Sequence, residues 1–390
     1  MAAFNVTVPI AARLFKTSYM RMLVIFLVSG AGANAQTNID ANGKWKIISS
    51  GIQVPYMVDE LKGLKMGPFV RLADGNILTV DSTRCYVSKD GGDTWDVYPI
   101  FPGNEDYLIR PERALIRTKT GVIILAFKNA KNRHWDWQPE IFDSPNAIQP
   151  TYTIRSLDEG KTWQDLQILH EDWTGAIRDM IETADGNIIF TSMMMRHDPG
   201  RQTVVTYTSM NGGRTWHRSN IIDLGGIGHH GGVSESTLEQ LKNSRLWMLF
   251  RTNWGQFWEA YSDDEGLTWR DIRATAIPAS SAPGLLTRLA SGRLMLVWNL
   301  RYPEGKNEYP LRGGDNQWSE VPVSNHREEL SVAFSDDEGK TWTQPTVLAK
   351  TSKAGSWISY PYVFEAHPGE LWITTMQGGL RIKLYEKNFI

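Results

Sequence analysis

The sequence predicts an all-β fold, a six-bladed β-propeller built from four-stranded blades. Three observations predict it. An eight-residue turn motif occurs five times, a strand–turn–strand hairpin occurs six times, and the two alternate at intervals typical of propeller blades. The composition agrees, because 390 residues with 11% aromatic side chains suffice for one large all-β domain.

The turn motif has the pattern Ser-x-Asp/Asn-x-Gly-x-Thr-Trp. Its Asp or Asn can accept hydrogen bonds from backbone amides further along the turn, and its glycine reaches a backbone geometry that strains other residues. The tryptophan supplies a large apolar surface to pack under the turn. Apolar and β-branched residues flank the copies, so each motif is predicted to join two antiparallel strands. The copies lie at residues 88–95, 156–163, 209–216, 262–269 and 335–342.

Between the motifs, an apolar strand, a tight turn and a second apolar strand recur. Each repeat therefore consists of strand A, a turn, strand B, a loop, strand C, the turn motif and strand D, which is a propeller blade. The residues at the A–B turns are Gly75, Gly121, Gly186, Ser244, Gly292 and Gly369.

Six hairpins but only five turn motifs leave the last blade one strand short at the end of the chain. Residues 43–48, around Trp45, are predicted to supply that outer strand from the N-terminal side. A ring closed in this way has no exposed sheet edge, which protects it from edge-to-edge association.

The first 35 residues predict an export signal. A basic lead containing Arg13, Lys16 and Arg21 precedes a short apolar run at 22–28, and a small-residue cleavage site ends at Ala35. The run is too short to span a bilayer. We therefore expect a signal peptide at 1–35 and a single propeller domain at 36–390. The mature chain is expected to be periplasmic or secreted, without membrane insertion.

The net charge and the cysteine count limit which partners, disulfides and cofactors are expected. The formal net charge of −2 argues against a nucleic-acid partner. Cys85 is the sole cysteine, so no internal disulfide forms. Because there is no cysteine pair and the histidines are scattered, we expect no metal site and no cofactor.

The alternating strand direction assigns every loop to one of two faces. The A–B turns and turn motifs share one face, and the long B–C loops at 128–150, 196–202 and 300–327 share the other. Long polar loops mark the second face as the functional one. Inner strands are expected to begin there, around a central pit, at Met66, Glu112, Ile177, Glu235, Pro283 and Tyr360. Neighbouring candidates for substrate binding are Arg110, Arg113, Arg178, Asp179, His229 and His230.

The turn motif is the Asp-box, and it resembles the repeat of the sialidase (neuraminidase) superfamily. In that family a glutamate on blade four activates a tyrosine on blade six, which attacks the anomeric carbon. Segments 234–239 and 359–362 look like the strands that carry them. The resemblance therefore implies Glu235 as base and Tyr360 as nucleophile. A neighbouring carboxylate can take the proton of a weakly nucleophilic tyrosine.

The same resemblance implies further site residues. Sialidases clamp the substrate carboxylate with three arginines, whose planar guanidinium groups match a carboxylate, and they use an aspartate as general acid. The implied clamp residues are Arg110, Arg251 and Arg327, with Arg301 as a second candidate, and Asp81 is the implied acid.

The sequence departs from the family at two clamp positions. Lys65 begins the segment in which blade one of a sialidase carries its first arginine, and Phe257 stands where a close match has the second. The implied substrate is therefore a glycan with a terminal anionic sugar, which is sialic acid, a uronic acid or another keto-sugar acid.

Three functions remain open at this point. The first is an exported, exo-acting glycoside hydrolase of sialidase type. The second is a polysaccharide lyase, which would use histidines on the functional face. The third is a carbohydrate-binding propeller without catalysis, in which tryptophans stack on sugar rings. The candidate histidines are His134, His197, His229 and His230, and the candidate tryptophans are Trp135, Trp137, Trp254 and Trp258.

Overall fold

The computed structural model describes residues 44–353 and 355–389. The predicted signal peptide at 1–35 lies outside these residues. In the described part of the chain the structure is built from strands, with two short 3-10 turns at Ala130–Asn132 and Glu386–Phe389. No helix in this part of the chain is long and apolar enough to cross a membrane.

Three short strands precede the first complete blade, and blades one to three follow in chain order. The leading strands are β1 (Trp45–Ile47), β2 (Gln53–Pro55) and β3 (Asp59–Glu60). Blade one contains β4 (Phe69–Arg71), β5 (Ile77–Asp81), β6 (Arg84–Ser88) and β7 (Asp96–Pro99). Blade two contains β8 (Ala114–Arg117), β9 (Ile123–Lys128), β10 (Thr151–Ser156) and β11 (Gln164–His170). Blade three contains β12 (Met180–Glu182), β13 (Ile188–Arg196), β14 (Arg201–Ser209) and β15 (His217–Arg218).

Blades four to six repeat the pattern. Blade four contains β16 (Val233–Gln240), β17 (Leu246–Thr252), β18 (Gln256–Ser262) and β19 (Arg270–Pro278). Blade five contains β20 (Leu285–Arg288), β21 (Leu294–Trp298), β24 (Glu329–Ser335) and β25 (Thr346–Lys350), and its long loop forms the hairpin β22 (Leu311–Arg312) and β23 (Val323–Ser324). Blade six contains β26 (Ser359–His367), β27 (Glu370–Gln377) and β28 (Arg381–Tyr385). The prediction of six four-stranded blades is confirmed.

An N-terminal strand closes the ring as predicted, but it is β3 rather than residues 43–48. Strand β3 pairs with β28 and completes blade six. The predicted closing strand, β1, instead folds back on β2, and β2 pairs with β25 at the outer edge of blade five.

The reason for this difference is a tight turn that the sequence analysis did not identify. Gly51 has a positive φ of 79°, and its amide donates to the carbonyl of Ile48. This turn buries Ile52 and Val54 in the core between blades five and six. Burial of these apolar side chains favours the hairpin over direct pairing of β1 with blade six.

The Asp-boxes fasten each blade to the one before it. In the fourth box, the Asp264 carboxylate accepts hydrogen bonds from the Ser262 hydroxyl at 2.8 Å and the Thr268 amide at 2.8 Å. Gly266 has a φ of 76°, and a Cβ there would lie 3.2 Å from Ile189 of blade three. The box glycine is therefore needed both for its backbone geometry and for close packing between blades.

We expect Asp264→Ala to lower the free energy of unfolding by about 1 kcal/mol, because it removes the acceptor that closes the turn. Denaturant unfolding followed by tryptophan fluorescence measures this change. The neighbouring Asp263→Ala is the matched control, since the side chain of Asp263 is exposed and pairs with Arg245 at the surface. Equal destabilisation by the two variants would contradict the role assigned to the box.

Candidate active site

Tyr360 and Glu235 meet at the centre of the ring. They lie near the starts of the innermost strands of blades six and four, and the Tyr360 hydroxyl donates to Glu235 Oε1 at 2.7 Å. Each residue is only 8% exposed. Both have positive φ angles, 62° for Tyr360 and 39° for Glu235, which are strained for residues other than glycine. Such strain at two facing positions is typical of functional sites.

The local register explains how Glu235 reaches the pit. Ser234 pairs with Arg251 and Ser236 with Phe250, so the β-ladder skips Glu235 at a bulge. A bulge re-aims the side chain of the extra residue. Glu235 thereby points at Tyr360 rather than into one of the blade interfaces.

Arg251 holds the Glu235 carboxylate. Its Nη1 donates to Glu235 Oε2 at 2.5 Å, and its Nε and Nη2 both donate to the Ser281 hydroxyl oxygen. All three guanidinium nitrogens are thus engaged within the protein, and Arg251 is 4% exposed. Arg251 is therefore placed to position and neutralise Glu235.

The electrostatics favour a charged glutamate and a neutral tyrosine at rest. Burial alone would raise the pKa of Glu235, but Arg251 and the hydrogen bond from Tyr360 outweigh burial and lower it. Burial, followed by the neighbouring Glu235 charge, raises the pKa of Tyr360 to about 12. The proton therefore stays on Tyr360 until a reaction draws it toward Glu235.

Two more arginines lie against the Tyr360 ring. The guanidinium carbon of Arg327 is 5.5 Å from the ring centroid, and that of Arg178 is 5.1 Å from it. Arg327 donates to the Ser281 carbonyl at 2.6 Å, and Arg178 donates to the Pro361 carbonyl at 2.8 Å. Cations in these positions favour negative charge on the Tyr360 side chain over a neutral surrounding.

A cavity of about 350 Å³ opens above this pair. A second carboxylate, Glu112, faces it from blade two, with Lys128 at 3.3 Å and Arg110 at 3.4 Å from Oε2. Burial would raise the pKa of Glu112, but these two cations lower it to about 2. Glu112 is therefore ionised at neutral pH and is an acceptor rather than a proton donor.

Several buried polar atoms around the cavity have no hydrogen-bond partner among residues 44–353 and 355–389. They are Trp173 Nε1, Gln202 Oε1 and His230 Nδ1. Buried polar atoms are nearly always hydrogen-bonded in folded proteins. Donors and acceptors left unpaired around one cavity indicate a site built for a polar ligand such as a sugar.

Residues 110–373 match the family model described as a BNR repeat-like domain. The chain belongs to this family. The match covers most of the propeller, from blade two to blade six. A search of curated proteins finds no match to the chain.

Solved structures similar to this BNR repeat-like propeller include sialidases. A protein of unknown function from Dyadobacter fermentans is 16% identical over 85% of this chain and 100% of that chain, with a TM-score of 0.55. A Hadza microbial sialidase is 16% identical over 83% of this chain and 66% of its own, with a TM-score of 0.57. Trypanosoma rangeli sialidase, in complex with 2,3-difluorosialic acid as a covalent intermediate, is 12% identical over 85% of this chain and 59% of its own, with a TM-score of 0.53.

This BNR repeat-like chain thus spans less than two thirds of the length of those two sialidases. Identities of 16% and below show a shared fold and leave the chemistry to the site itself. The predicted resemblance, an Asp-box propeller with the sialidase fold, is confirmed.

The structure brings several predicted site residues of this BNR repeat-like propeller together. Tyr360, Glu235 and Arg251 line the cavity with Glu112, His229 and His230. Three predicted cations, Arg110, Arg178 and Arg327, stand behind these residues, in contact with Glu112 or Tyr360.

Other predicted residues lie elsewhere. Asp81, the implied general acid, is exposed at the end of β5, accepts a hydrogen bond from the Ser82 hydroxyl, and does not line the cavity. Arg113 is buried and donates to the carbonyls of Gly67 and Val80. Asp179 accepts from the Leu238 amide at 3.0 Å, and burial raises its pKa. These positions make Arg113 and Asp179 parts of the scaffold.

Three more predicted residues also lie away from Tyr360. Arg301 packs on the Tyr302 ring, with 4.9 Å from its guanidinium carbon to the ring centroid. His134 is exposed and lies 3.7 Å from Asp136. His197 bonds to Asp143 at 2.9 Å and fastens the long loop of blade two to blade three.

Several residues at the cavity, or directly behind it, were not predicted from the sequence. Lys128 is fully buried at the end of the apolar strand β9. A single cation at the end of such a strand could have marked it as a candidate site residue. Arg133, Trp173 and Gln202 come from loops or strand ends, where no repeat pattern marked them.

Proposed function

We propose that this chain is an exo-acting glycoside hydrolase of sialidase type that acts on an anionic glycan. The observation that carries the proposal is the hydrogen bond of 2.7 Å between the Tyr360 hydroxyl and the ionised Glu235, both buried beneath a polar cavity. A nucleophile within hydrogen-bond reach of its base, with the base oriented by a third group, is the arrangement that covalent catalysis needs. Arg251 is that third group.

The reaction follows from this geometry. Glu235 takes the phenolic proton while the Tyr360 oxygen attacks the anomeric carbon, and the leaving-group oxygen departs on the opposite side and takes a proton from solvent water. Arg327 and Arg178 stabilise the negative charge that develops as the proton leaves. Water then attacks the anomeric carbon and releases one proton to solvent, while the protonated Glu235 carboxyl returns its proton to the departing Tyr360 oxygen. Two displacements give net retention of the anomeric configuration.

An anionic substrate is supported by the charges around the cavity. Two carboxylates, Glu112 and Glu235, face a larger set of cations, and such an excess attracts anions into a cleft. The cations are Arg110, Lys128, Arg133, Arg178, Arg251 and Arg327. Sialic acid and uronic acids are the sugars with the required charge. We further propose that residues 1–35 direct export of this enzyme.

The proposal is tested by trapping the intermediate. Incubation with 2,3-difluorosialic acid, the compound in the Trypanosoma rangeli sialidase structure, should add its sugar to the peptide that contains Tyr360. Mass spectrometry of a digest locates the adduct. A fluorinated uronosyl fluoride serves as the second reagent if the sugar is a uronic acid. Turnover with inversion, followed by proton NMR of the released sugar, would overturn the mechanism.

A lyase is the second candidate, because one observation favours it. His229 and His230 line the cavity, and burial lowers the pKa of both below 6.5, so each is a neutral imidazole able to accept a proton. A lyase acting on a uronate polymer forms an unsaturated product with ultraviolet absorbance. New reducing ends without that absorbance would exclude the lyase. Specific glycan binding without any turnover would instead support a binding propeller.

The acid limit of activity should lie below the ordinary glutamate pKa of 4.5. Glu235 must be ionised to act as base, its pKa is lowered in the folded protein, and activity is therefore lost only as the pH falls through that lowered value. Tyr360, with a pKa of about 12, adds no alkaline limb near neutrality.

The pH dependence is measured as kcat/KM on an aryl glycoside, whose good leaving group needs no general acid. Glycosides of sialic acid and of glucuronic acid are assayed in parallel. An acid limb centred above 4.5 would contradict the assignment of Glu235 as the base.

A further inference from the structure

One side of the cavity is aromatic and carries a cation at its rim. Trp135 and Trp173 form a wedge, with ring centroids 4.4 Å apart and planes tilted by 43°. The guanidinium carbon of Arg133 lies 5.5 Å from the Trp173 ring centroid. All three residues line the cavity that holds Tyr360 and Glu235. Tryptophan faces pack well against the apolar C–H faces of sugar rings.

Arg133 differs from the other cations at this site. Arg251 uses all three nitrogens within the protein, and Arg327 lies behind the Tyr360 ring with two nitrogens bonded to Ser281 and Gln377. Arg133 is exposed, and within residues 44–353 and 355–389 its guanidinium has no carboxylate or hydrogen-bond partner. Of the two arginines that line the cavity, Arg133 is the one whose guanidinium is not held by a carboxylate or hydroxyl of the described residues, so its planar fork can pair with an anionic ligand.

The wedge is held in place by the fold. The backbones of His134 and Ile148 exchange hydrogen bonds of 2.8 and 3.0 Å, so the two halves of the blade-two loop pair beside Trp135. The Gln149 carbonyl accepts from the Thr174 amide at 2.9 Å, which fixes the backbone next to Trp173. A site held this rigidly loses little entropy when a ligand binds.

We propose that Arg133, Trp135 and Trp173 form the subsite for the leaving-group sugar, and that this sugar carries a carboxylate or a sulfate. The inference rests on the proposed function, which defines the leaving group. Tyr360 attacks from blade six, and the wedge comes from blade two and the connection into blade three, across the ring. In-line displacement sends the leaving group away from the nucleophile, toward this side.

The unpaired polar atoms on the same side suit a sugar ring. Trp173 Nε1 is a buried donor and Gln202 Oε1 a buried acceptor, and neither has a hydrogen-bond partner in the described part of the chain. A sugar hydroxyl both donates and accepts, so a ring placed against the wedge can pair with these atoms. Leaving such atoms unpaired costs free energy, which makes them a source of selectivity.

Direct binding of leaving-group mimics tests the inference. The probes are lactose, lactose 6′-sulfate and digalacturonic acid, and the measurement is isothermal titration calorimetry on the full chain. At least one charged probe should bind about tenfold tighter than lactose, the gain expected from one hydrogen bond to a charged group. Arg133→Gln should remove that preference. The preferred charged probe distinguishes a sulfate from a carboxylate.

Two further variants separate recognition from loop structure. Trp135→Ala should weaken all three probes, and Trp135→Phe should restore most of the binding because it retains a stacking face. Arg214→Gln, at an exposed arginine in the Asp-box of blade three, is the matched control and should bind like the parent protein. Equal affinity for charged and neutral probes in the parent protein, or an unchanged preference in Arg133→Gln, overturns the inference. So does the absence of binding by all three probes.

This test does not depend on turnover. If the proposed function is wrong, Tyr360 will carry no adduct and no glycan will be hydrolysed. If the subsite is wrong, Arg133→Gln will keep the preference of the parent protein for charged probes in the binding experiment. Binding of charged probes through Arg133 without hydrolysis would support an anionic-sugar site at this place. The same result would rule out its role as the leaving-group subsite.

Discussion

Tyr360→Phe is expected to lower kcat by at least about 1,000-fold, because it removes the oxygen that attacks the anomeric carbon while keeping the ring against Arg178 and Arg327. The variant should fold, since phenylalanine fills the same space and Glu235 keeps its ion pair with Arg251 when the hydrogen bond from Tyr360 is lost. KM should change little, because the phenol is used mainly in the chemical step. Steady-state kinetics on an aryl glycoside measure both constants.

The matched control is Tyr362→Phe, two residues further along the same strand. The Tyr362 hydroxyl contacts the backbone of Pro111 and Arg113 rather than Glu235. We expect this variant to unfold at a lower denaturant concentration and to keep kcat within about threefold of the parent value. A Tyr360→Phe enzyme that retains a tenth or more of the parent kcat would remove tyrosine nucleophilicity from the mechanism.

The fold was predictable because the Asp-boxes set the register of every blade. Each box requires an aspartate or asparagine, a glycine in a left-handed conformation and a tryptophan, so its position is visible in the sequence. The closing strand was placed wrongly because its position depends on burial of Ile52 and Val54 between blades five and six. No local pattern reports which of two nearby short strands will pair with β28.

The central pair was predictable for the same reason as the blades. Glu235 and Tyr360 begin inner strands, and the register places those positions around one pit. Residues on connections between blades are harder to predict, because loop conformation depends on contacts far apart in the chain. Trp173 lies on the connection between blades two and three and Gln202 at the start of β14, and the two line one cavity only in the folded ring. Asp81, in contrast, was predicted as a site residue from its family position on a loop, but the structure places it outside the cavity.

Arg251→Met is expected to lower the free energy of unfolding by about 3–5 kcal/mol at neutral pH, because it leaves the Glu235 carboxylate buried without its main cationic partner. Denaturant unfolding measures the loss. The lowered pKa of Glu235 is attributed chiefly to Arg251, so without this arginine burial should raise that pKa. The acid limb of kcat/KM should then move to higher pH, and kcat/KM at neutral pH should fall.

The pH dependence of the stability lost in Arg251→Met shows whether Arg251 stabilises the fold through its charge or through packing. In the parent protein, Glu235 has a lowered pKa, so its ion pair contributes stability above the ordinary value of 4.5 and loses it as the pH falls through the folded value. In Arg251→Met, protonation at low pH removes the unpaired charge instead. The difference in stability between the two proteins should therefore narrow as the pH is lowered. A difference that stays constant would indicate that Arg251 acts through packing.

A second substitution tests whether Arg251 and Glu235 are energetically coupled. Arg251→Met combined with Glu235→Gln removes both charges, so the double variant should be more stable than Arg251→Met alone. Arg245→Met is the matched control, because Arg245 pairs with Asp263 and Asp271 at the surface and its loss should cost little. Strict additivity of the two central substitutions would mean that Arg251 and Glu235 are not coupled. Recovery of stability without recovery of activity would show that the protein keeps a charge at Glu235 for catalysis rather than for folding.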